Sequence, residues 1–189
     1  MTFSSHLIKS LLVFCLFGLQ QANATCEYDE QALMALSLNQ FDQDMNGGWR
    51  AVSHQTGCSL AAAELIKKYR IDKKRTEKIL LWHEGQLRAE ANQIKEAVEL
   101  FKQSFEEQDL MGWNHYVSAS IAFLEQDLET LKKERALLAA IEKPDGLQMT
   151  DPNGKPIKIS WPPNLNVVDK LVECFGKSYK EAYSGCHSE

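Results

Sequence analysis

The chain has 189 residues, 44% of them hydrophobic and 25% charged, and a formal charge of −5 from 21 basic and 26 acidic side chains. That acidic balance argues against nucleic acid as a general partner. Beyond the N-terminus no stretch is apolar enough to span a bilayer.

Residues 1–24 read as a targeting segment. Lys9 and the amino terminus make a weakly positive start, Leu11 to Leu19 is an apolar run, and Ala22-Asn23-Ala24 is an A-x-A cleavage site. A lipidated N-terminus is the rival reading, but Phe14 before Cys15 and Asn23-Ala24-Thr25 before Cys26 do not resemble a lipobox. The mature chain is expected to begin at Thr25, in the periplasm or outside the cell. Cleavage removes Lys9 and no acidic residue, so the charge moves from −5 to −6. About 165 residues remain, enough for one domain with a real core. Four cysteines stay with them: Cys26, Cys58, Cys174 and Cys186. An even number in an oxidising compartment favours two disulfides, with three possible connectivities. Cys26–Cys58 and Cys174–Cys186 are the expected pairs, because each joins a terminal segment to a nearby helix. Zinc is the competing use of these thiols, but close C-x₂-C pairs are missing.

In chain order, Tyr28–Gln40 has helical spacing of Leu33 and Leu36, with Asp29 and Glu30 near its start. Asp42-Gln-Asp-Met-Asn-Gly then copies the first half of an EF-hand loop. Arg50 and Ser53 stand where later ligands belong, so a turn capped by Asp44 or Asn46 is expected rather than a calcium site. Cys58–Tyr69 is a helix that ends in a cluster of cations from Lys67 to Arg75, read as a solvated helix end. Helices follow at about Arg75–Ala91, Gln93–Glu106 and Trp113–Leu124, then one from an Asp127 cap to Ile141. After Pro144 the pattern changes. Leu147–Thr150 and Ile157–Trp161 flank Asp151-Pro152-Asn153-Gly154, a hairpin signal. Asn166 is the expected cap of a helix Val167–Phe175 stopped by Gly176, and Ser178-x-x-Glu181 is a capping box for a last short helix.

Leu81, Gly85, Ala97 and Phe101 put two small residues twelve apart and an aromatic four later. Setting Ala119 against Gly85 is a 34-residue step, with Leu131 opposite Ala97 and Leu138 opposite Ser104. This pattern resembles the tetratricopeptide repeat (TPR). Residues 76–141 carry it best, and 29–70 read as a more eroded stretch. Glu84 and Arg88 depart from it, standing where that family has large apolar side chains, and Arg135 stands opposite Phe101. The resemblance implies an all-α, right-handed stack of antiparallel helical hairpins over residues 25–143. Residues 144–189 would form a small β-hairpin and helix cap. It also implies a non-catalytic module that binds a protein or peptide of the cell envelope. Its groove positions fall on Trp82, Gln86 and Glu90 of one helix and Trp113 and Tyr116 of another, with core packing as the competing role for these rings.

No motif demands an enzyme. His83-Glu84 lacks the second histidine of H-E-x-x-H, because Leu87 takes its place. His54, His83 and His115 each stand alone in helical context. No cofactor or metal is implied. The alternative is a cell-envelope hydrolase using Glu84, Glu90 or a histidine in the same groove.

Overall fold

A computed structural model describes residues 25–150, 155–157 and 159–186. The expected leader and the turn expected at residues 151–154 lie outside the described residues. The rest is helical, apart from one short antiparallel pairing of Met149–Thr150 (β1) with Pro156–Ile157 (β2).

The helices are α1 (Glu30–Met34), α2 (Gly48–Ser53), α3 (Ser59–Asp72), α4 (Lys78–Glu90), α5 (Ile94–Gln103), α6 (Trp113–Leu124), α7 (Leu128–Ala139), α8 (Leu165–Glu173) and α9 (Tyr179–Ser184). Local chemistry explains most ends. Asp127 accepts from the Thr130 amide at 3.0 Å and starts α7. Ser178 and Glu181 form a complete capping box at α9. Along α5, Ala97, Val98, Leu100 and Phe101 are buried on one stripe. That stripe meets α4 at Gly85, where an added Cβ would fall 2.7 Å from the Phe101 ring and 3.3 Å from the Ala97 carbonyl oxygen. Close approach of the two helices depends on that missing side chain.

Three ends differ from expectation, and α6 starts where expected on a cap not named from the sequence. The helix expected over Tyr28–Gln40 breaks after α1, because Gln40 bonds back to the Ser37 amide and hydroxyl and Tyr69 takes the Leu36 carbonyl. The chain then makes a π-helical turn, Asn39–Gln43. Neither Asp44 nor Asn46 caps α2; Asp44 accepts from the Asn46 amide instead, and Gly47 precedes the helix. Asp109 holds the start of α6, accepting from the amides of Met111, Trp113 and Asn114. Helix α8 begins after Asn164 rather than Asn166.

Two buried clusters make the core, and α4 serves both. Leu80 and Leu87 join Phe41, Trp49, Val52, Leu65, Ile66 and Tyr69. Trp82 and Ala89 join Phe101, Tyr116, Phe123, Leu138, Leu171 and Tyr179. Both disulfides form as expected: Cys26–Cys58 ties the N-terminus to the start of α3, and Cys174–Cys186 ties the ends of α8 and α9.

Glu84 and Arg88, two of the three departures from the TPR pattern, are buried and paired. Glu84 accepts from Arg70 and from Arg88, and Arg88 also meets Glu64 and Gln93. A polar network thus joins α3 and α4 beside their apolar contact. It also accounts for Arg70 of the basic cluster, while Lys68 pairs with Glu30 and Arg75 with Glu77.

Candidate functional site

The π-helical turn is the starting point, since such widened turns recur at functional sites. It carries Asp42, whose side chain is fully buried. A buried carboxylate must be satisfied, and this one is. His83 Nδ1 lies 2.7 Å from Oδ1, the Trp49 indole N–H donates to the same oxygen at 2.9 Å, and Gln43 donates to Oδ2 at 2.6 Å. The Arg50 guanidinium donates to the Asp42 main-chain oxygen. Burial alone would raise the pKa of this carboxyl. The His83 hydrogen bond and charge, with the bonds from Trp49 and Gln43, outweigh burial and hold it below the ordinary 3.8. An ionised carboxylate only accepts, so His83 Nδ1 carries a proton, and in the neutral ring the lone pair is on Nε2.

Gly48 makes this geometry possible. Its φ is +54°, and a Cβ there would lie 2.0 Å from the Phe41 carbonyl oxygen. The start of α2 therefore presses directly on the turn that presents Asp42, and only glycine fits.

The His83 ring opens onto a cleft of about 520 Å³ between α2, α4 and α9. Trp49, Met45, Leu87 and Tyr183 give it apolar walls; Arg50, His54, Gln86, Glu90 and Lys180 give it polar ones. Trp49 and His83 rings lie 5.2 Å apart, and the Arg50 guanidinium sits 4.0 Å over the indole. Burial lowers the Arg50 pKa, opposed by the charges of Asp42 and Asp44. Glu90 accepts from the Ser59 hydroxyl at 2.8 Å, which fixes its position on the cleft wall.

The five expected groove residues separate. Gln86 and Glu90 line the cleft. Trp82 and Tyr116 are each only 2% exposed, and Trp113 is half-buried. The Trp82 ring stacks on Phe101 at 4.3 Å and meets Trp113 at 5.0 Å and Tyr116 at 4.7 Å. Trp82 and Tyr116 are core, not open surface, and Trp113 packs partly buried against them. The chain's own C-terminus reaches the same aromatic cluster: Tyr179 of α9 packs near Phe101, and the Tyr116 and Tyr183 hydroxyls meet at 3.2 Å. Tyr179 is buried with its hydroxyl unpaired, beside the Gln86 side chain.

Trp49 and Lys180 were not singled out by sequence as site residues, Asp42 and Arg50 entered only as positions of the rejected calcium loop, and His83 was read as a lone histidine. The seven-residue spacing of Asp42 and Trp49 was a weak local signal. Nothing local could join Asp42 to His83 across 41 positions.

Fold and cleft together define an all-α, two-disulfide chain in which a buried carboxylate fixes an imidazole at the wall of an open cleft. No helix among the described residues is long and apolar enough to cross a membrane. No family model, no curated protein and no solved structure matches the chain.

Proposed function

We propose that this is an exported, TPR-like module that binds a protein or peptide of the cell envelope in the cleft between α2, α4 and α9. The signal-like N-terminus and the two disulfides support export to the periplasm or beyond. The successive helix pairs α4–α5 and α6–α7, with Gly85 closing on Phe101, support the repeat reading. In it, β1–β2, α8 and α9 form the C-terminal cap.

The observation that carries the binding reading is the cleft itself. Its volume lies in the range of ligand sites, and it mixes aromatic walls with a few polar groups. Trp49 and His83 are already locked by Asp42, so a ligand would not have to order them. Gln86 and Glu90 offer an acceptor and donors for a peptide main chain or amine. The test compares capture from an envelope extract by the wild type and by Ser53→Trp, which fills the cleft from α2. Capture by the wild type and not by the filled variant supports the reading. Equal capture by both places the binding surface elsewhere.

A further inference from the structure

We propose that the cleft is also catalytic, with His83 as general base and Asp42 as its positioning residue in hydrolysis of an acyl bond, a carboxylic ester or amide. This rests on the reading that the cleft receives a peptide-like ligand, and adds chemistry to it.

The geometry points to a base rather than a structural tie. The chain buries a carboxylate completely, surrounds it with three side-chain donors, and places it on a π-helical turn that tolerates only glycine at position 48. The result is one imidazole ring with its tautomer and direction fixed, 12% exposed, on the wall of a cleft. A carboxylate behind Nδ1 directs the Nε2 lone pair outward and stabilises the imidazolium that forms when Nε2 takes a proton. A second imidazole–carboxylate pair, His115 with Glu134 at 2.7 Å, has an imidazole 34% exposed and a carboxylate 13% exposed, against 12% and 0% for His83 and Asp42. Nothing holds it in the same way.

The peptide-like ligand sets the substrate class, and the charge lining the cleft is mixed, with the Glu90 carboxylate beside the cations Arg50 and Lys180. Arg50 and Lys180 share the cleft and supply positive charge where an oxyanion would develop. In the step itself, water gives a proton to His83 Nε2 while its oxygen bonds the acyl carbon, and the carbonyl electron pair moves onto oxygen. The tetrahedral oxyanion then collapses, the bond to the leaving alkoxide or amine breaks, and the imidazolium returns the proton to it. The products are a carboxylic acid and an alcohol or amine, and no further reactant is consumed.

The experiment measures hydrolysis of p-nitrophenyl acetate and of an N-acetylated tripeptide p-nitroanilide by the mature, disulfide-bonded protein. The variants are His83→Gln, Asp42→Asn and, as control, His115→Gln. A positioned general base contributes on the order of 100-fold, so His83→Gln should lose about that much, and His115→Gln should lose almost nothing. Asp42→Asn should lower the rate and change its pH profile. The ionisable groups around His83 are Asp42 on the π-helical turn, Arg50 on α2 and His54 just after it, Glu90 on α4, and Lys180 and Tyr183 on α9. The wild type supplies a measurement that no folding defect can confuse. Carbethoxylation by diethyl pyrocarbonate, mapped by mass spectrometry, should abolish hydrolysis in step with His83 modification, and hydroxylamine should restore it. Hydrolysis of the ester alone makes the substrate class an ester, and hydrolysis of the anilide extends it to amides. Neither probe hydrolysed, or equal loss in His83→Gln and His115→Gln, overturns the proposal. Catalysis failing while Ser53→Trp still abolishes peptide capture refutes only the chemistry. Hydrolysis without peptide capture refutes the binding reading instead.

Discussion

Truncating Trp82 to alanine separates two roles that the sequence allowed for this ring. The tetratricopeptide resemblance would put it in a ligand groove, yet the ring is 2% exposed and packs on Phe101, Trp113 and Tyr116 at centroid distances of 4.3, 5.0 and 4.7 Å. Removing a buried indole forfeits those contacts and leaves a cavity, a loss of about 3–5 kcal/mol. Each kcal/mol lowers the midpoint of a domain this size by about 2–4 °C, so Tm should fall by about 6–20 °C. Trp82→Phe keeps the stacked half of the contact and should lose less than half as much. Thermal unfolding followed by far-UV circular dichroism gives both values. A Trp82→Ala protein melting within about 2 °C of the wild type would refute the core assignment. It would also return Trp82 to the list of residues free to meet a ligand.

Three other perturbations probe the frame around the cleft. Gly48→Ala should destabilise by at least about 1–3 kcal/mol, from left-handed strain alone and more from the clash with the Phe41 carbonyl oxygen; urea unfolding with an unchanged midpoint would contradict it. The Asp42 carboxyl is depressed in the fold, so its stabilisation is complete above its unfolded pKa, near 3.8, and is lost as pH falls through the lower folded value. Stability curves of wild type and Asp42→Asn should therefore converge below pH 3.8; a gap that stays constant through that range would show the depression to be wrong. Replacing Cys174 and Cys186 by serine should free α9 from the aromatic cluster, at a cost of about 3 kcal/mol on chain-entropy grounds. Trypsin should then cleave after Lys177 and Lys180 much faster than in the wild type, and equal rates would mean that packing of Tyr179 alone holds the helix.

Helices α3 to α7 and α9 were legible in the sequence because their signals are local. An apolar stripe such as Ala97, Val98 and Phe101, a cap such as Asp127 and a box such as Ser178 with Glu181 act within one or two turns. The two disulfide pairs were legible for a related reason, since each joins a terminus to the helix next to it. The break after α1 was not, because it depends on Tyr69, 33 residues away, taking the Leu36 carbonyl. The site was legible only in part. Helical spacing correctly put Gln86 and Glu90 on one face, and that face lines the cleft. Trp82 and Tyr116 were harder to place, because Trp82 is covered by rings from α5 and α6 and Tyr116 also meets Tyr183 of the distant α9. Asp42 was tested as a calcium ligand, from its neighbours, while its partner stands on α4.

The central claim is that the cleft between α2, α4 and α9 is where this protein meets a peptide. Site-specific photo-crosslinking in the exporting host tests it most directly, with p-benzoylphenylalanine at Met45, exposed at the cleft rim, or at Leu110, exposed on the loop before α6. The account predicts a discrete adduct from position 45 that Ser53→Trp eliminates, and none from position 110. An adduct from position 110 alone, or one from position 45 that survives a filled cleft, would contradict it.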